Sequence, residues 1–111
     1  GSFQAVKHKL ASAFVRIESA RAAAWYAAYA IARRLPDASL AASVAKAVAA
    51  ESEALMNTEA LQCHGGIGFT WEHDLHMWMK RGKSLESSFG SAADHRARVA
   101  EQALEEARAN A

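Results

Sequence analysis

The sequence predicts an all-α fold, and three observations carry that expectation: abundant alanine, almost no proline, and helical spacing of the apolar residues. Alanine makes up about a quarter of the 111 residues, and it is the strongest helix former. Pro36 is the single proline. β-Branched residues are few and nowhere alternate over a strand-length run. The expected architecture is an antiparallel helical bundle of about four helices.

The first helix is expected from about Phe3 to Arg34. Phe3, Val6, Leu10, Phe14, Ile17, Ala24, Ala28, Ile31 and Leu35 recur at spacings that place them on one stripe. From Ala20 to Ala32 the pattern is almost wholly apolar, with Trp25, Tyr26 and Tyr29 among alanines. A helix apolar on all sides is covered on several sides, so this one belongs inside an assembly larger than the chain. Leu35-Pro36-Asp37 is the break, because proline disfavours a helical residue before it and Asp37 can cap the next helix. That second helix runs to about Cys63, with Leu40, Val44, Val48 and Leu55 on one face. Alanines on both helices allow a closely packed antiparallel hairpin.

Gly65, Gly66 and Gly68 end the second helix. Thr70 can cap a shorter third helix, about Glu72 to Arg81. Gly82 and Gly90 are expected to bracket an irregular piece holding Leu85 and Phe89. Ser91-Ala92-Ala93-Asp94 is a capping-box pattern with Asp in the usual Glu position, opening a last helix to about Arg108. Its polar tail, Glu101 to Ala111, is expected to fray.

Composition excludes several classes. The chain is one domain by length, and its net charge of +1 gives no electrostatic footprint for nucleic acid. Cys63 is the only cysteine, so no internal disulfide forms and a reducing compartment is expected. The uncharged apolar stretch Ala22 to Ala32 is far below the roughly 20 residues of a membrane span. No secretion signal is visible, and the protein reads as cytoplasmic.

Taken alone, the glycines between His64 and Thr70 are a helix stop. They can also bring bare backbone against a phosphate or a flat ring, but they do not spell G-x-G-x-x-G and no strand precedes them. Their context is more specific. Gln62-Cys63-His64-Gly65-Gly66-Ile67-Gly68-Phe69 is similar to the Q-x-x-G-G-x-G-[FY] signature of acyl-CoA dehydrogenases. Thr70-Trp71-Glu72-His73-Asp74-Leu75-His76 continues as that family does, and Phe3-Gln4 with Val6 and His8 resembles the start of an earlier helix of its C-terminal domain. The stretch from Trp71 to His76, with Ser84-Leu85-Glu86, resembles actinobacterial members. The resemblance spans Phe3 to about Arg98.

That resemblance implies one domain of a larger enzyme whose FAD lies between two subunits of a homo- or hetero-oligomer, a dimer of dimers. The reaction it implies is α,β-dehydrogenation of an acyl-CoA thioester to the 2-enoyl-CoA, with electron-transferring flavoprotein as acceptor. Gln62, Gly65 and Gly66 match contacts to the ADP part of a neighbouring subunit's FAD. Cys63 and His64 lie in the same run and are carried with it as cofactor contacts, although packing at the helix end would equally account for His64. Gln4 matches a glutamine near the flavin, and Ser91 stands for a threonine that touches FAD.

The reaction needs a base for the proton α to the thioester. The family's Y-E-G-T motif falls on Ser88-Phe89-Gly90-Ser91, so phenylalanine stands in the glutamate's place, and Glu86 lies three residues off. Two explanations are open: a base on an earlier helix, as in some relatives, or a non-catalytic subunit paired with an active one, as in heteromeric relatives acting on steroid side-chain thioesters.

The other candidates have plainer readings. His73 and His76, with Glu72 and Asp74 beside them, have no second pair at ligand spacing, so a surface helix start is expected rather than a metal site. No Glu-x-x-His pair exists to build a di-metal bundle. Cys63 is expected to be small and buried, with nothing basic near it to form a thiolate. Trp25, Tyr26, Tyr29, Trp71 and Trp78 are expected to pack in a core or an interface.

Overall fold

The computed structural model describes residues 2–65 and 73–111. Gly66, Gly68, Thr70, Trp71 and Glu72 lie outside the described residues. Four helices run in order: α1 Ser2–Ala32, α2 Ala38–His64, α3 Leu75–Ser87 and α4 Ala92–Ala109. Among the described residues there is no strand, and the all-α expectation stands.

The break after α1 is closed by a Schellman motif without glycine. Arg34 takes a left-handed φ of 53°. The Leu35 amide donates to the Ala30 carbonyl at 2.9 Å and the Arg34 amide to that of Ile31 at 3.1 Å, the paired bonds that satisfy a helix's last carbonyls. Leu35 packs on Ala27, Ala30 and Ala41, supplying the apolar contact of the motif. Asp37 starts α2, but its side chain makes no capping bond. Its carboxylate instead accepts from the Tyr26 hydroxyl at 2.6 Å, tying the two arms of the hairpin across the turn.

α1 and α2 pack antiparallel: Tyr26 meets Asp37 at one end, and Lys9 pairs with Glu59 at the other. The contact face differs from the expected stripe of large residues. The buried apolar positions are Ala27, Ala30, Ala41, Ala47, Ala50 and Leu75, while Leu10, Phe14 and Ile31 are exposed. Helix backbones approach most closely where side chains are smallest, so the alanine faces join and the large residues turn outward. Trp25 and Trp78 are 72% and 69% exposed, and Tyr26 and Tyr29 are exposed as well, so within this chain these four rings are surface rather than core.

α2 is the central element. α3 lies antiparallel against it: Gly82 sits on the Glu53 carboxylate, and the Lys46 ammonium donates to the carbonyls of Leu85 and Glu86 at 2.7 and 3.1 Å. The expected irregular piece after Gly82 is instead a continuation of the helix. Glycine lowers helix propensity by about 1 kcal/mol, but here its missing side chain is what lets α3 reach α2. The start of α3 is capped by His73, whose Nδ1 accepts from the Leu75 amide at 3.1 Å.

α4 opens on the expected capping box. The Asp94 amide donates to Ser91 Oγ at 3.2 Å, and the Ser91 amide donates to the Asp94 carboxylate at 2.9 Å. The helix continues through the polar tail to Ala109 rather than fraying at Glu101. Buried His95 joins α4 to α2 through Ser43, and an Arg96–Glu51 ion pair adds to the contact.

Candidate functional site

The glycine turn stands at the exposed end of α2. Gly65 has φ 59° and ψ −142°, a backbone that side chains other than glycine's rarely allow. Its amide is consumed by the carbonyls of Leu61 and Gln62. Among the described residues, a Cβ at Gly65 would meet nothing within 4 Å. Gln62, Cys63 and His64 are exposed beside it. Exposure corrects the expectation of a buried Cys63, which stands in the last turn of α2.

Two interactions orient this end. Lys9 Nζ donates to Gln62 Oε1 at 2.7 Å. An ammonium only donates, so the Gln62 oxygen faces Lys9 and the amide N–H groups are turned outward. His64 Nδ1 donates to the Ala60 carbonyl at 2.7 Å, leaving Nε2 as its remaining polar atom. The His64 ring meets that of His73 edge-on, with centroids 4.5 Å apart, which brings the start of α3 to the end of α2. Sequence reasoning missed Lys9 because its role depends on the hairpin register. The signal available was the basic run Lys7-His8-Lys9 near the start of the helix.

Gln4 is exposed, five residues before Lys9 on α1, so it lies at the same end of the hairpin, roughly 7 Å further out. Ser91 does not join this group. His95 holds the start of α4 against Ser43, and Ser43 to Gln62 is 19 residues of helix, roughly 28 Å along the axis. The proposed cofactor residues therefore form two groups: Gln4, Gln62, Cys63, His64 and Gly65 at one end, and Ser91 towards the other. Gly66 lies outside the described residues.

The Ser88–Ser91 loop forms the second group. Phe89 has φ 61° and is 95% exposed; Gly90 comes next at φ 95°. His95 Nε2 donates to the Phe89 carbonyl at 2.7 Å, and its Nδ1 lies 3.1 Å from Ser43 Oγ. A carbonyl only accepts, so Nε2 carries the proton and, in the neutral ring, the Ser43 hydroxyl donates to Nδ1. Bonds from the Ser91 amide and hydroxyl hold the Asp94 carboxyl below its ordinary range. A cavity of about 480 Å³ opens beside the loop between α2 and α3, floored by Ala49, Ala50, Gly82 and Leu85. Glu86, paired with Lys83 at 2.9 Å, lies at its rim. Sequence reasoning missed His95 too, because a lone histidine near a helix start carries no marker of burial.

Among the described residues no group of three His, Cys, Asp or Glu side chains is placed to hold a metal ion. His76 Nδ1 faces the His73 carbonyl at 2.7 Å, so this pair organises the start of α3. No described helix is long and apolar enough to cross a membrane.

The helical domain leaves large apolar side chains exposed and carries a Gln-x-x-Gly turn at the exposed end of α2. Residues 1–104 match the acyl-CoA dehydrogenase C-terminal domain, and the chain belongs to that family. It is 37% identical over 90 residues to acyl-CoA dehydrogenase IpdE2 of Mycolicibacterium smegmatis, covering 81% of this chain and 27% of that protein. Acyl-CoA dehydrogenase IpdE2 of Mycobacterium tuberculosis is 43% identical over 81 residues, 73% of this chain and 24% of the relative. Acyl-CoA dehydrogenase FadE34 of the same organism is 39% identical over 93 residues, 83% of this chain and 13% of the relative. The chain thus spans about a quarter or less of the relatives it matches. No solved structure matches it.

Proposed function

We propose that this chain is the C-terminal domain of an FAD-dependent acyl-CoA dehydrogenase, one part of a larger subunit that converts an acyl-CoA thioester to the 2-enoyl-CoA. The observation that supports it best is the Gln62-to-Gly65 run, standing open at the end of α2 in a chain matched to the family over residues 1–104. In this reading Gln62, Cys63, His64, Gly65 and Gly66 hold the ADP part of FAD, with Gln4 at the same end. The donor set fits such a group: Gln62 presents amide N–H groups, Lys9 adds a positive charge behind them, and the Gly65 turn leaves room for close approach. A separation of roughly 28 Å along α2 supports shared sites, in which the turn serves one cofactor and Ser91 another.

FAD, when bound, supplies the hydride acceptor. The residues of the Ser88–Ser91 loop supply no base. Phe89 is apolar, and the Ser91 hydroxyl is bonded to Asp94 at 2.7 Å. The α-proton is therefore taken by a carboxylate elsewhere in the subunit. The apolar side chain in the base's place also favours a second reading, a non-catalytic subunit that stabilises an active partner.

The test is to purify the complete subunit and measure flavin absorbance per chain and acyl-CoA dehydrogenation with electron-transferring flavoprotein as acceptor. The expected result is near-stoichiometric flavin that is lost on Gly66→Leu. Unchanged flavin content in that variant would sink the cofactor role. A subunit that acquires flavin and activity only when co-expressed with a glutamate-bearing partner selects the second reading.

A further inference from the structure

His95 is a titratable ring buried under a loop whose two ends are already secured by other residues. The end of α3 is held by the Lys46 ammonium on the carbonyls of Leu85 and Glu86. The start of α4 is capped by Ser91 and Asp94. Between them Phe89 takes a left-handed φ of 61°, where an aromatic residue is an outlier. Glycine would make that turn without the steric cost, as Gly90 does next to it at φ 95°. Strain of this kind persists only where the surroundings over-determine it, and it collects at functional sites. Here one side chain imposes it: His95, buried against α2, donates from Nε2 to the Phe89 carbonyl at 2.7 Å.

The grip is two-sided. The His95 amide donates to the Ser91 carbonyl at 3.1 Å, so one residue holds the backbone on both sides of Gly90. A Cβ on Gly90 would stand 3.1 Å from His95 Nε2, so the bare glycine is what admits the ring. Behind the ring, buried Ser43 of α2 lies 3.1 Å from Nδ1. With the hydroxyl donating to Nδ1, the neutral ring keeps its proton on Nε2, where the Phe89 carbonyl accepts it. The Phe89–Gly90 peptide is trans, and a trans unit directs its C=O and N–H to opposite sides. Drawing the carbonyl in to His95 therefore turns the Gly90 amide away from it. We propose that His95, with Ser43 setting its tautomer, is a positioning residue that fixes the Phe89–Gly90 peptide and, through it, the presentation of Ser91 to the cofactor. His95 touches no ligand and acts only through the loop. The proposal rests on the reading that Ser91 meets FAD.

The experiment uses the complete subunit and measures affinity for FAD, the visible circular dichroism of the bound flavin, and melting temperature. In His95→Leu the ring's two bonds are gone. Affinity for FAD falls roughly tenfold, the order expected for one well-placed hydrogen bond, and the dichroism of the flavin that still binds changes shape. His95→Gln offers an amide N–H and a carbonyl in place of Nε2 and Nδ1, and it recovers most of the affinity and the wild-type spectrum. Ser43→Ala gives a smaller loss in the same direction, because the tautomer is then unconstrained. Arg96→Ala breaks a different tie between α4 and α2; it lowers the melting temperature and leaves affinity and spectrum as in wild type. If wild type binds FAD and His95→Leu matches it in affinity and spectrum, the positioning role is refuted and the cofactor reading survives. Equal losses in His95→Leu and Arg96→Ala also refute it, because His95 then only holds α4 in place. A His95→Gln that behaves as His95→Leu refutes it too. Should His95→Leu not fold, Ser43→Ala decides, and wild-type affinity and spectrum there overturn the proposal. A wild type that binds no FAD sinks both readings.

Discussion

Ser91 and Asp94 show how much one local pair can settle. Each caps the other's backbone amide, and the bonds from Ser91 hold the Asp94 carboxyl below its ordinary range. A carboxyl whose pKa is lowered by folding stabilises the fold above its unfolded value, about 3.9, and that contribution is lost as pH falls through the folded value. Ser91→Ala should therefore cost about 1 kcal/mol at neutral pH, read from thermal melts. The gap between variant and wild type should shrink on acidification below about pH 4. Arg34 makes the opposite case. It occupies a left-handed position that glycine accepts freely, so Arg34→Gly should stabilise by about 0.5–1 kcal/mol; a lowered melting temperature would show that the arginine side chain carries a contact of its own. The capping box was legible in sequence because its bonds span three residues. The left-handed Arg34 and Phe89 were not, because neither residue type prefers that conformation: a helix-end motif sets the angle of Arg34, and the bond from His95 holds that of Phe89.

At the scale of elements, the existence of the helices was readable and their facing sides were less so. Alanine content and a lone proline sufficed for the α1–α2 hairpin. The expected stripe from Phe3 to Leu35 ran through Leu10, Phe14, Ala24, Ala28 and Ile31, whereas the contact runs through Ala27, Ala30 and Ala41, with only Leu35 of that stripe packed against it. Periodicity finds an apolar face but cannot rank two of them, and close backbone approach selects the smaller. Ala30 is fully buried, so Ala30→Leu should force the helices apart at a cost of about 1–3 kcal/mol, measured by denaturant unfolding. Gly82 misled in the other direction. Read as a breaker, it lies inside α3 because only a residue without a side chain lets α3 settle over Glu53.

As a whole molecule, the chain exposes 8191 Å², against about 5,900 Å² expected for a folded monomer of its mass. Its radius of gyration is 17.1 Å, against about 13 Å for a compact domain of this length. No large side chain is completely buried among the described residues. Such a surface suits a layer of helices covered by other parts of an assembly, which accounts for aromatic residues on the outside of α1 and α3. The chain by itself should show tryptophan fluorescence near that of free solvent and should self-associate in sedimentation. In the complete subunit the emission should shift to the blue. A compact monomer with buried tryptophans would contradict this.

What the sequence determined alone was local or compositional: the all-α class, the hairpin, the capping box, and the family resemblance of the Gln62-to-Thr70 run, because alanine propensity, short-range bonds and a contiguous motif need no partner. Tertiary structure decided which face of α1 is inside, that α3 runs through Gly82, and that the candidate cofactor residues divide between two ends. It also placed Lys9 behind Gln62 and locked Phe89 outward through His95. Each of these depends on the register of α2 against its neighbours, and register comes from packing between residues dozens of positions apart.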